Sequence, residues 1–129
     1  MSYQVNYFKN EKGEEPVRDY IKDLALEDKA KVFAYLKQLS DVGPQMRRPM
    51  ADYMGNKTGL YELRPGKHRV IYFYMERKNI ILLHALYKKT DKIPEGDVET
   101  ALWRKEICQT LKRYNQVDFE EFEEKEEEN

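Results

Sequence analysis

The chain has 129 residues, 40% hydrophobic and 36% charged, with a net charge of −1; that length can bury the core of one domain without a metal or disulfide staple. Its single cysteine, Cys108, excludes an internal disulfide, and no Cys/His spacing matches a zinc site, so no metal or other cofactor is expected. Residues 1–10 carry no apolar targeting run and no stretch of about eighteen apolar residues could cross a bilayer, so a cytoplasmic location without membrane contact is expected.

In chain order, residues 3–8 alternate Tyr3, Val5 and Tyr7 against Gln4 and Asn6, the period of a half-buried strand. Beyond a turn-prone stretch, Pro16 suits the first position of a helix, and Val17, Tyr20, Ile21 and Leu24 recur at helical spacing. Residues 26–42 predict a second helix with Val32, Phe33, Leu36 and Leu39 inward; Gly43 caps it and Pro44 forbids its continuation. Residues 45–59 predict a loop with at most one short helical turn. Residues 60–64, 69–75 and 80–87 predict three strands joined by short turns, an antiparallel meander. Pro94, Gly96 and Asp97 open a last helix running to about Tyr114, with Val98, Ala101, Leu102, Cys108 and Leu111 as its buried stripe.

This order predicts an α+β fold: an N-terminal strand and a helical hairpin packed on a small, mainly antiparallel sheet, with a C-terminal helix. The hairpin would cover one sheet face and leave the other as a shallow groove. The chain divides into a body, residues 1–117, and an acidic tail, residues 118–129. The tail holds eight acids, among them Asp118, Glu120 and Glu121, against Lys125, so the −1 total becomes about +6 on the body. So polar a tail predicts disorder or a frayed helix, and in the same molecule it would compete with a polyanion for a basic surface. A basic body suits RNA, although many unrelated proteins carry such a charge.

Antiparallel pairing brings the chemistry-bearing cations together. Arg64 ends the second predicted strand, Arg69 opens the third, and Lys88 and Lys89 end the fourth, so all four converge on one sheet edge. Such a cluster could hold a phosphodiester and stabilise the extra charge of a phosphorane-like transition state, because guanidinium groups fit phosphate oxygens; strand ends are also commonly basic and merely solvated. Arg47, Arg48 and Lys57 in the preceding loop, and Lys67 and His68 in the turn, are the expected further RNA contacts. Tyr87, beside the lysines, is the tyrosine best placed to act at the site. Alternation puts His84 on the face of Leu82 and Leu86, where a buried, hydrogen-bonded histidine is expected.

The segments Gly59-Leu60-Tyr61-Glu62-Leu63-Arg64, His68-Arg69-Val70-Ile71-Tyr72-Phe73 and Leu82-Leu83-His84-Ala85-Leu86-Tyr87-Lys88-Lys89-Thr90, followed by Pro94, resemble the HigB-like, phage-derived branch of the RelE/ParE toxin superfamily. The resemblance spans about residues 5–111. It implies a RelE-like fold and a metal-independent mRNA endoribonuclease acting on the ribosome, held inactive by a cognate antitoxin that often carries a helix-turn-helix domain. In that chemistry the ribose 2′-hydroxyl attacks the adjacent phosphorus, a base takes its proton and an acid protonates the leaving 5′-oxygen. By position, Arg69 matches the arginine that contacts the scissile phosphate, Lys89 falls where a basic residue assists the leaving group, and Arg64 and Lys88 flank the backbone. Leu60 and Glu62 replace lysines that some relatives carry, and residues 90–96 lack a tyrosine that some relatives have, for which Tyr87 is the expected substitute. Glu62 faces the same side as Arg64, so it either serves as the base or pairs with that arginine. A ParE-like gyrase-binding toxin and an inert prophage-derived binding module are the alternatives.

Overall fold

A computed structural model of the chain describes residues 3–55 and 57–122. The elements are β1 (Gln4–Phe8), α1 (Pro16–Lys22), α2 (Leu26–Val42), a 3-10 turn (Gly43–Gln45), β2 (Ala51–Tyr53), β3 (Tyr61–Leu63), β4 (His68–Met75), β5 (Asn79–Tyr87), α3 (Glu95–Leu111) and β6 (Tyr114–Gln116). The fold is α+β, with the strands in one sheet of order β2-β3-β4-β5-β1-β6. Every pairing is antiparallel except β1 with β5.

The helical hairpin forms where the periodicity places it. Pro16 opens α1 and Val17 and Ile21 are buried. Helix α2 buries Val32, Phe33, Leu36 and Leu39, and its Gly43 cap donates N–H to the Leu39 carbonyl at φ +54. A Cβ at Gly43 would collide with the Tyr3 ring, so this glycine is required both by its backbone angle and by close approach. Val5, Tyr7, Val70, Tyr72, Ile80 and Leu82 meet the hairpin from the sheet.

The opposite sheet face is not an open groove. Phe8, Leu60, Ile71, Phe73, Ile81 and Leu83 pack there with Ala101 and Cys108 of α3. Two covered faces explain why β1 is buried beyond its alternating positions: Asn6 is fully buried, and its amide nitrogen donates to the Gln4 and Ile80 carbonyls and to Asn79 Oδ1.

Two strands lie where none was expected. Residues 51–53, expected in a loop, form β2 at the sheet edge against β3. Helix α3 ends at Leu111, with Lys112 in the left-handed region as its cap, and Tyr114 belongs to β6, which pairs with β1. Both strands are three residues long and show no full alternation, so only their partners define them. Of the stripe expected on α3, Ala101 and Cys108 are buried, whereas Leu102 and Leu111 are exposed.

The first part of the acidic tail is packed. Phe119 and Phe122 lie against Phe33 of α2, and Arg18 is ion-paired with Glu121. Residues 123–129 of the expected tail lie outside the described residues.

Candidate functional site

Three of the four expected cations, Arg64, Arg69 and Lys88, converge on a groove at the β2 end of the sheet, between β2, β3 and the segment leading into α3. It has a volume of about 720 Å³ and is lined by Arg48, Arg64, Arg69, Lys88 and Lys92, by Asp52, Glu62, Asp91 and Glu95, and by apolar groups including Met54, Ile93 and Val98. Among the described residues, five cations against four carboxylates make it polar and only slightly positive, well short of a purely basic cleft.

Strand geometry explains which side chains enter. On β4, Ile71 and Phe73 face α3, so Arg69, two residues before Ile71, faces the same side. Glu62 pairs across β3–β4 with Ile71 and therefore also points there. Arg64 follows Glu62 by two residues, and Asp52 is directly opposite Glu62 on β2. Lys88 continues β5 by one residue and its N–H donates to the Lys67 carbonyl, which holds the start of the α3-bound segment beside the turn before β4.

Arg69 is the most fixed of these groups. Its Nη1 donates to the carbonyls of Gly66 and His68, each at 2.8 Å, and its Nε lies 3.7 Å from Glu62 Oε1. Burial lowers its pKa from the ordinary arginine value, Glu62 opposes that shift, and Arg64 adds to it; an arginine nevertheless stays charged. Arg64 Nη2 donates to Glu62 Oε2 at 2.8 Å and lies 3.7 Å from Asp52 Oδ2, while Arg48 Nε donates to the same Asp52 oxygen at 2.9 Å. Glu62 thus sits between two guanidiniums, acting as a partner of Arg64 and also as a carboxylate on the groove wall.

Several sequence-predicted residues are elsewhere. Lys89, Arg47, Lys57 and Lys67 are exposed and do not line the groove. Tyr87 is exposed but sits across from His68, whose ring it meets edge-on at 5.4 Å, and so lies on the hairpin side of the sheet, away from Arg69. His68 is buried, not an exposed turn residue. Its Nε2 lies 3.3 Å from Asp28 and its Nδ1 2.7 Å from the Tyr20 hydroxyl, so it ties β4 to both helices of the hairpin. A carboxylate only accepts, so Nε2–H donates to Asp28, and in the neutral ring Nδ1 accepts from Tyr20.

His84 is hydrogen-bonded as expected, on a face that strict alternation misassigns. The register slips between Ile71 and Tyr72, which pair with His84 and Leu82, leaving Leu83 as an extra residue. This irregularity turns His84 toward α3 with Leu86 and away from Leu82. Arg104 Nη1 donates to His84 Nδ1 at 3.2 Å and to the Leu83 carbonyl at 2.9 Å, so Nε2–H donates to Asp97 Oδ1 at 2.6 Å. The network pins α3 to the sheet, and neither His84 nor Asp97 lines the groove.

Asp52, Asp91, Lys92 and Glu95 are the charged groove residues that sequence reasoning missed. Asp52 lies on the unrecognised β2, and its one local signal is the four-residue spacing from Arg48. Residues 19–106 match the family model described as Phage derived protein Gp49-like (DUF891), a span that contains every groove residue. No curated protein matches the chain.

Proposed function

Because the chain belongs to the phage-derived Gp49-like family, we propose that it is the toxin of a type II toxin–antitoxin pair, in the HigB-like branch of the RelE/ParE superfamily, and that it cleaves mRNA on the ribosome without a metal. The observation that carries the reading is the fixed Arg69 guanidinium beside the Glu62 carboxylate, in a groove that also holds Arg64 and Lys88. A phosphodiester seated on Arg69 would replace Glu62 as that guanidinium's anionic partner. Glu62 then takes the ribose 2′-hydroxyl proton, O2′ bonds to phosphorus, and the P–O5′ bond breaks. Lys88 supplies the proton that leaves with the 5′-oxygen, and it does so in preference to Lys89 because Lys88 lines the groove. The products are a 2′,3′-cyclic phosphate and a 5′-hydroxyl. Arg69 stabilises the charge that builds on the non-bridging oxygens, and Arg64 adds to the positive potential of the groove.

The partner in this reading is an antitoxin, expected to carry a helix-turn-helix domain, which covers apolar surface on the toxin. The exposed Leu102, Trp103 and Leu111 of α3 are the surface offered to it.

The test is cleavage of mRNA on programmed ribosomes, mapped by primer extension. Arg69→Ala is expected to lower the cleavage rate by about 100-fold or more, the scale of losing one transition-state donor. Lys88→Ala should cost more than Lys89→Ala. A folded wild type that makes no cut sinks the ribonuclease reading and leaves gyrase inhibition or an inert binding module in its place.

A further inference from the structure

Five charged side chains alternate in sign along the groove: Arg48, Asp52, Arg64, Glu62 and Arg69. Asp52 and Glu62 face each other directly across β2 and β3. Arg64 lies against both, hydrogen-bonded to Glu62 at 2.8 Å and 3.7 Å from Asp52. Its Nε is buried and has no hydrogen-bond partner among the described residues, so that end of the guanidinium is not tied to its present place.

We propose that Asp52 is a positioning residue for RNA cleavage: it receives Arg64 when the substrate phosphate arrives, and so frees the Glu62 carboxylate to take the 2′-hydroxyl proton. This rests on the ribonuclease reading above. A carboxylate whose oxygens are engaged by two guanidiniums directs few lone pairs at a substrate. The phosphate removes one competitor by occupying Arg69. The other, Arg64, can leave Glu62 without stranding a buried charge only if a second anion lies within reach, since an unpaired guanidinium in a partly buried site is costly. Asp52 is that anion, and a small rotation of the Arg64 side chain brings it into contact. Arg48, already donating to Asp52, holds the carboxylate in position to receive it.

Asp52 acts through Arg64 on Glu62 and touches no reacting atom, so its signature lies in turnover. Cleavage on programmed ribosomes is measured at limiting and saturating ribosome concentration for the wild type, Asp52→Asn and Asp52→Glu. The amide keeps the shape and loses the charge. It is expected to lower kcat about 10-fold, part of the ~100-fold or greater contribution of a general base, with KM unchanged within about twofold. Asp52→Glu, which restores the charge, is expected to recover most of the loss. A merely structural Asp52 would lower thermal stability in both variants, and the loss of kcat would vanish once rates are normalised to folded protein. Unchanged kcat in Asp52→Asn, or no recovery in Asp52→Glu, overturns the proposal and leaves the ribonuclease reading standing. No cleavage by the folded wild type overturns both.

Discussion

Glu62 and Arg69 differ in what their replacement tests. Glu62→Gln keeps the hydrogen bond to Arg64 and removes the proton acceptor, so cleavage should fall by roughly 100-fold or more while affinity for a 2′-O-methyl oligoribonucleotide holds. Equal cleavage by Glu62→Gln and wild type would reassign Glu62 to a purely structural ion pair. Arg69→Ala removes the phosphate ligand, so it should weaken binding of the same oligonucleotide as well as cleavage. Cys108 makes a residue-scale prediction of a different kind. Its thiol is buried against Met75, and burial pushes it up to about 11 from an ordinary 9.0, with Lys112 opposing the shift. The folded-state value is raised, so the contribution to stability is full below about pH 9 and is lost as the pH climbs through about 11. At pH 8 the native thiol should react with a disulfide reagent far more slowly than the denatured one, because the thiolate is the reactive form. Rapid labelling of the native protein would show Cys108 to be accessible.

Among the elements, α2 carries contacts on two sides. Leu36 and Leu39 face the sheet, while Phe33 meets Phe119 and Phe122 of the C-terminal segment. Phe33→Ala should therefore cost about 3 kcal/mol, the lower end for a buried phenylalanine, and Phe122→Ala less, because Phe122 is only partly buried. Denaturant unfolding checks both, and equal, negligible losses would mean that the C-terminal segment does not rest on α2. Helix α3 is asymmetric in the same way. Ala101, Cys108 and the Arg104–His84–Asp97 network bind it to the sheet, and Trp103 projects outward. Trp103→Asp is expected to leave the fold intact and weaken antitoxin capture by at least about tenfold, as the loss of an exposed aromatic anchor does. Undiminished capture would move the antitoxin to another face.

For the whole molecule, charge distribution is the quantity to test. Residues 123–129 hold five glutamates against one lysine, and competition with RNA for the groove predicts that a chain ending at Phe122 binds RNA more tightly. This truncation is cleaner than one at Asp118, which would also remove Phe119, Phe122 and the Arg18–Glu121 pair. The gain should shrink as salt rises, because screening acts on exposed charge. RNA affinity that is equal for the two chains at low salt would remove the tail from the mechanism.

The sequence by itself determined the α+β order, both helices of the hairpin, the three strands of the meander and the convergence of Arg64, Arg69 and Lys88, because each follows from a period, a breaker residue or antiparallel register. Tertiary structure alone decided the rest. Strands β2 and β6 exist through their partners, and with β2 came Asp52, which joins Glu62 as a carboxylate beside Arg64. The extra residue at Leu83 sent His84 to α3, and pairing with Tyr87 turned His68 toward the hairpin. Helix α3 closed the sheet face that the order of elements had left as an open groove, which confined the groove to the sheet edge. Local patterns report how often a side chain turns inward; which surface it meets there is fixed only when distant segments pack, since burial and ion pairing join residues that are remote in the chain.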